Sequence, residues 1–184
     1  GSFLEAQDMF RLPGIFRTVA LRSTPKLQIY NINVVGDLSE DPTTAHIRID
    51  AAIRNFTTKK ANKLHLRYKV YECELYSDQV KKVDALEGAS LIETAAPGEI
   101  TQNKLAILAK NIKAWSAEEP HRYVLVAQLT DKKGKVIETV SSYFGFTKVE
   151  IKDTPADKDE FGKAGRYFYV NGKPVKFKGV NRHE

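Results

Sequence analysis

The sequence predicts an all-β protein, an antiparallel β-sandwich of about seven short strands. Three observations support this prediction. Apolar and polar residues alternate with a period of two along much of the chain, turn-forming residues separate these runs about every ten to fifteen residues, and helical periodicity is nearly missing. The 184 residues are 42% hydrophobic and 28% charged, which suffices for a core without disulfides. The single cysteine, Cys73, excludes an internal disulfide.

The clearest predicted strand covers residues 45–54. Ile47, Ile49, Ala51 and Ile53 lie on one of its faces, and polar or charged residues lie on the other. Such alternation is typical of a strand with one buried and one solvated face.

A second strand is predicted over residues 63–76, where the alternation changes phase. Leu64, Leu66 and Val70 share one face, after which Cys73 and Leu75 take the apolar positions. A β-bulge near residue 71 would produce this change.

The remaining predicted strands are shorter or less regular. The turn at 131–134 has a glycine where positive φ is needed, so it joins the last two strands into a hairpin. The absence of a second cysteine excludes an antibody-type disulfide but leaves an immunoglobulin-like architecture open. These strands cover residues 27–35, 89–94, 104–110, 122–130 and 135–146.

Two segments flank the predicted sandwich. Residues 15–21 read as an apolar strand, and residues 166–179 read as a hairpin around Asn171-Gly172, a strong hairpin-turn signal. Residues 152–165 are rich in Asp, Lys, Gly and Pro and predict a solvated loop. The polar cluster after the last predicted strand indicates a piece of a larger enzyme, because α/β barrels place their chemistry at strand ends.

Several function classes are disfavoured by composition. The net charge is +6, but the basic residues are dispersed, which argues against a nucleic-acid partner. No apolar run is long enough to cross a bilayer, so we expect no membrane association and a soluble protein, either cytoplasmic or periplasmic. His46 and His65 lack metal-ligand spacing. Trp115 is interpreted as a packing anchor rather than a sugar platform.

Four patches stand out in the sequence: residues 1–17, 115–123, 144–151 and 170–184. They resemble glycoside hydrolases of family 2 and, within that family, the β-galactosidases. Their order and spacing are those of the family, which makes a chance agreement improbable. The resemblance implies the tail of a sugar-binding jelly roll at 1–24, an immunoglobulin-like sandwich at 25–147 and the truncated start of a catalytic (β/α)₈ barrel at 148–184.

The same resemblance implies what the parent protein does. It would hydrolyse terminal non-reducing β-D-galactosides with retention, using two glutamates that lie beyond residue 184. We therefore expect no catalytic residue in this segment, and the isolated chain should be inactive as a structural spacer. Glu184 is not assigned as a catalyst, since a retaining pair needs carboxyl groups about 5 Å apart and both come from later barrel strands in this family.

The resemblance also assigns binding residues. Asp8 would bind a sodium ion and the galactose 6-hydroxyl, and His183 would line the galactose subsite, with Asn181 and Arg182 in support. Na⁺ and Mg²⁺ are implied for the parent enzyme, and no cofactor is implied for the segment itself. The expected partners are the other domains of the same polypeptide and the galactoside, and the parent is expected to be a homo-oligomer.

Two alternatives remain open from sequence. A stand-alone immunoglobulin-like binding module would explain the sandwich but not the flanking segments. A β-glucuronidase or β-mannosidase of the same family would share the C-terminal pattern, although the patch at residues 5–11 favours a galactosidase.

Overall fold

The computed structural model describes residues 14–15, 17–41, 43–75, 79–159, 162–175, 177 and 179–181. Residues 24–175 form one compact unit, and residues 1–23 together with 176–184 form another. Within the second unit, the described residues contain no strand, and Ile15, Val19 and Leu21 are exposed. The predicted strand at 15–21 is therefore wrong for residues 15 and 17–21, which lie exposed and outside any strand. Strand-like composition is a context-dependent preference and does not by itself form a strand.

The described residues of the larger unit form eleven strands. Two sheets form a sandwich with strand orders β5-β2-β1-β8 and β4-β3-β6-β7, and a third sheet has the order β11-β10-β9. The predicted all-β class and immunoglobulin-like sandwich are confirmed. The strands are β1 Leu27–Leu38, β2 Thr44–Asn55, β3 Ala61–Cys73, β4 Val80–Ala95, β5 Ile100–Lys110, β6 Arg122–Thr130, β7 Val136–Phe144, β8 Phe146–Thr147, β9 Val149–Thr154, β10 Gly165–Val170 and β11 Lys173–Val175.

The core lies between the two larger sheets. Ile47 and Ile53 of β2, Leu66 of β3, Leu125 of β6 and Phe146 of β8 are fully buried there. The alternation predicted for β2 is thus confirmed, since its inward residues are the buried ones.

The predicted bulge in the second strand is also confirmed. The pairing of β3 with β4 shifts register between Lys69 and Tyr71, and Cys73 is buried. Leu75 is not buried; it is 39% exposed and follows the end of β3. The prediction for Leu75 is wrong because β3 ends at Cys73. Beyond the end of the strand, side chains no longer alternate between a buried and an exposed face.

Strands β4 and β5 begin earlier than predicted, at Val80 and Ile100. The added residues mix charged and apolar side chains without a clear alternation, but Lys81 pairs with Glu72 across the β3–β4 ladder. Pairing with a neighbouring strand therefore overrides the weak local preference.

The third sheet corrects the loop prediction. Residues 152–154 end strand β9, which pairs with β10, and a short 3-10 helix, Ala156–Lys158, follows.

The predicted hairpin turn is confirmed, because Asn171 and Gly172 have φ values of 52° and 78°. The predicted second arm is too long: β11 ends at Val175, and residues 177 and 179 carry no strand.

No helix among the described residues is long and apolar enough to cross a bilayer.

Candidate functional site

The residues that sequence assigned to sugar binding fall mostly outside the described ranges. Asp8, Arg182 and His183 are not among the described residues, and Asn181 is exposed and outside any strand. Their grouping remains a prediction. In the parts of the chain that the structure describes, no cluster of three His, Cys, Asp or Glu residues could hold a metal ion.

The hairpin turn is fastened to the sandwich by the side chain of Asn171. Its Oδ1 accepts hydrogen bonds from Lys148 N at 2.9 Å and from Thr147 Oγ1 at 3.2 Å. Its Nδ2 donates to the carbonyl oxygen of Trp115 at 2.8 Å. One side chain therefore joins the turn, the segment between β8 and β9, and the loop before β6.

Trp115 completes this junction from the sandwich side. Its N–H donates to the Phe146 carbonyl oxygen at 2.8 Å, and a Cβ added at Gly145 would lie 3.0 Å from the Trp115 Cβ. This contact is tighter than most Cβ contacts, so a side chain at that position would push against Trp115. The structure agrees with the interpretation of Trp115 as a packing anchor.

Charged side chains surround the same junction. Lys148 Nζ lies 2.8 Å from Glu40 Oε1 and 3.4 Å from Glu150 Oε1. The hydrogen bond from Lys148 lowers the pKa of Glu40, and the same contact raises the pKa of Lys148. All three groups are therefore charged at neutral pH, although solvent screening limits what such surface pairs contribute to stability.

A cleft of about 560 Å³ lies where β3 ends and β4 begins, and it includes Glu72, Cys73, Lys113 and His121. Glu72 Oε1 and Lys113 Nζ are 2.6 Å apart, and this hydrogen bond raises the pKa of Lys113. Burial raises the pKa of the Cys73 thiol. The thiol is thus protonated at neutral pH, so the cleft holds no activated cysteine nucleophile.

Sequence reasoning identified the Asn171 turn but missed the role of its side chain. The Trp115 acceptor is 56 positions away in the chain, and no local pattern indicates a contact of that range. A turn asparagine that is suited to positive φ is the only signal the sequence provides.

Comparisons with known proteins identify what this chain is similar to. The family described as "Glycosyl hydrolases family 2" matches residues 27–146. A protein of Priestia megaterium named β-galactosidase is 32% identical over 183 residues, covering 100% of this chain and 16% of that protein. A β-galactosidase of Halalkalibacterium halodurans is 30% identical and covers 100% of this chain and 15% of that protein. The chain therefore spans only a small part of the relatives it matches.

Solved structures share the fold at lower identity. A β-glucuronidase of Parabacteroides merdae superimposes with a TM-score of 0.60 at 19% identity, covering 86% of this chain and 17% of that one. Bacteroides uniformis β-glucuronidase 2 gives a TM-score of 0.59 at 21% identity, covering 83% of this chain and 16% of that one. Likeness at this identity shows the fold alone.

Proposed function

The chain belongs to glycosyl hydrolase family 2, and on that premise we propose that it is the non-catalytic sandwich segment of a β-galactosidase. One observation carries the proposal. The family match ends at residue 146, but the relatives named β-galactosidase align over 100% of this chain. The similarity thus includes both flanking segments, which a free-standing binding module would not need.

The segment's own role is structural on this proposal. Two features support it: the sandwich interior is filled by side chains, and the hairpin is hydrogen-bonded to the sandwich through Asn171. These hydrogen bonds would hold the hairpin turn in a fixed position on the sandwich.

Sugar binding would then belong to the parent protein. We assign Asp8 to the galactose 6-hydroxyl and a sodium ion, since a carboxylate is a hard oxygen ligand for a hard cation. His183 would hydrogen-bond the sugar, with Asn181 and Arg182 supporting it. Hydrolysis with retention would use two carboxyl groups from outside this segment, and Mg²⁺ would serve the parent rather than these residues.

The test compares the isolated chain with the protein translated from its full reading frame. We expect the longer protein to hydrolyse p-nitrophenyl β-D-galactoside and the isolated 184-residue chain to show no turnover above a buffer blank. Turnover by the repurified chain would contradict the non-catalytic assignment. A reading frame that stops after Glu184 would contradict the parent enzyme and favour the binding module.

A β-glucuronidase or β-mannosidase is the second candidate, and the solved glucuronidases fit it at the level of fold. Parallel assays with p-nitrophenyl β-D-galactoside, β-D-glucuronide and β-D-mannoside discriminate these activities. We expect the galactoside to have the highest kcat/KM, and a higher value for either other substrate would overturn the galactosidase proposal.

A further inference from the structure

Asn171-Gly172 is the only Asn-Gly pair in the 184-residue sequence. An asparagine that precedes glycine can cyclise: the backbone nitrogen of the glycine attacks Cγ of the asparagine and displaces ammonia. Glycine favours this attack because it has no Cβ to obstruct it and because its backbone is conformationally free. Water then opens the cyclic imide at either carbonyl and leaves aspartate or isoaspartate. Asparagine is accordingly among the thermolabile residues of proteins.

Three hydrogen bonds fix the Asn171 side-chain amide in the folded chain. Its Oδ1 accepts from Lys148 N and Thr147 Oγ1, and its Nδ2 donates to the Trp115 carbonyl oxygen. The backbone N–H of Asn171 also donates to the Lys148 carbonyl oxygen at 2.8 Å. Cyclisation requires the amide to turn toward the Gly172 nitrogen, and the nitrogen that leaves as ammonia is the one that donates to Trp115. The side-chain hydrogen bonds must therefore break before the ring can close.

Other asparagines of the described chain provide internal comparisons. Asn111 has a positive φ of 55°, close to the 52° of Asn171, but Ile112 follows it. Asn62 is exposed, and Lys63 follows it. In both cases the side chain of the following residue obstructs attack by its backbone nitrogen. These two asparagines should therefore cyclise more slowly than Asn171 in an unfolded chain.

Conversion of Asn171 removes the donor that reaches Trp115. Aspartate places a second oxygen opposite the Trp115 carbonyl oxygen and leaves that acceptor without its partner, which is unfavourable. Isoaspartate adds a methylene to the backbone of a two-residue turn whose flanking residues, Val170 and Lys173, are paired. Strand β11 has only three residues, so it provides few other contacts to retain the turn. Either product should weaken the attachment of the turn to the sandwich.

We propose that Asn171 is a deamidation site, that its hydrogen bonds to the sandwich protect it in the folded chain, and that conversion releases the hairpin turn. The release is irreversible, because ammonia is lost. Local opening of the turn sets the rate in the folded chain, and three hydrogen bonds of ordinary strength make that rate roughly a hundred-fold lower than in the unfolded chain. Deamidation here does not depend on the proposed galactosidase activity, because all these contacts lie within residues 24–175.

The experiment incubates the 184-residue chain in mildly alkaline buffer, with and without guanidinium chloride, and follows each asparagine by peptide mass spectrometry. The mass change from amide to acid reports deamidation, and enzymatic methylation detects isoaspartate. In denaturant we expect Asn171 to convert well before Asn111 and Asn62. Without denaturant, Asn171 should convert roughly a hundred-fold more slowly. The site is overturned if Asn171 converts no faster than Asn111 in denaturant, and its protection is overturned if Asn171 converts at equal rates in the two conditions.

Variants separate protection by these hydrogen bonds from the general effect of folding. Thr147→Val removes one hydrogen bond to Oδ1 and should accelerate conversion of Asn171 in the folded chain about five-fold, the equivalent of one hydrogen bond, without changing the rate in denaturant. Thr139→Val is the matched control, because the Thr139 hydroxyl accepts from Gln128 rather than contacting the turn, and it should leave both rates unchanged. Amide exchange in β6 verifies that both variants are folded. Equal folded-state rates for the two variants would overturn protection by these contacts.

The release of the turn is tested separately with Asn171→Asp, which reproduces one product of conversion. Amide exchange at Val170 and Lys173, on either side of the turn, should be faster in this variant than in the parent chain, relative to exchange in β6. Unchanged exchange at both positions would overturn the release.

Discussion

Replacing Asn55 by aspartate should destabilise the sandwich strongly. Asn55 is fully buried. Its Nδ2 donates to the carbonyl oxygens of Lys59 and Ala95, both at 2.9 Å, and its Oδ1 accepts from Thr57 N at 2.9 Å and Thr57 Oγ1 at 2.7 Å. One side chain therefore joins the loop after β2 to the end of β4.

The magnitude follows from these contacts. Asn55→Asp keeps the shape of the side chain and its acceptor oxygen. It replaces the Nδ2 amide group, which donates two hydrogen bonds, by a carboxylate oxygen that faces the same two carbonyl oxygens. Losing two hydrogen bonds and leaving two buried acceptors unpaired should lower the free energy of unfolding by about 3–5 kcal/mol. For a chain of this length, that corresponds to a fall in Tm of roughly 10 °C.

The stability lost in Asn55→Asp should increase as pH rises. Burial and the two carbonyl oxygens should raise the folded-state pKa of the introduced carboxyl above its ordinary value of about 4. A raised carboxyl pKa means that stability is present at acid pH and is lost as pH rises. The difference from the parent chain should therefore be larger at pH 7 than near pH 4, where the protonated carboxyl donates one hydrogen bond again.

Urea denaturation at several pH values measures this difference. The matched control is Asn62→Asp, because the Asn62 side chain is exposed and its Oδ1, which Asp retains, accepts a hydrogen bond from Thr94 Oγ1 at 3.1 Å. We expect the control to change stability by no more than about 0.5 kcal/mol. Equal losses for the two variants, or a loss at Asn55 that is independent of pH, would refute the reasoning.

Three further predictions concern the hairpin, a turn and a tight packing site. Asn171→Gly keeps the positive φ but removes three side-chain hydrogen bonds, so amide exchange in β10 should accelerate relative to β6; unchanged ratios would contradict this junction. Backbone hydrogen bonds, first of all from Lys135, lower the pKa of Asp131. The Asp131 carboxylate therefore stabilises the folded chain above its ordinary pKa, and this contribution is lost as pH falls through its lowered folded-state pKa. Below about pH 4, the free energy of unfolding of Asp131→Asn should fall less steeply with pH than that of the parent chain. Parallel curves of stability against pH would argue against this role. A Cβ at Gly36 would meet a carbonyl oxygen and a core ring atom, each at 2.8 Å, so Gly36→Ala should lower Tm with a cost of about 1–3 kcal/mol. Gly179→Ala, with nothing within 4 Å of the added Cβ, should change Tm little, and similar shifts for the two variants would contradict the packing argument.

Local chemistry explains which elements the sequence predicted well. The alternation of apolar and polar residues predicts the buried face of β2. Residues suited to positive φ predict the turn at Asn171-Gly172. The phase change in β3 predicted its bulge. Each of these features depends on neighbours within a few positions.

Features that depend on distant partners were predicted poorly. The polar start of β4 is a strand because β3 pairs with it, and β9 is a strand because β10 does. The apolar segment at 15–21 has strand-like composition, but its described residues form no strand. Composition alone does not provide the neighbouring strand with which a β-strand must pair.

The candidate sites divide in the same way. The residues proposed for sugar binding, Asp8 and His183, came from resemblance alone and remain predictions. The hydrogen bonds of the Asn171 side chain were invisible in sequence, because the Trp115 carbonyl that accepts one of them is 56 positions away. Sequence alone determined the all-β class, the buried faces and the turns, since these follow from the period of side chains and from local φ preferences. Only the tertiary structure decided which polar groups meet and which remain unpaired, because hydrogen bonding between distant residues depends on strand pairing rather than on chain order.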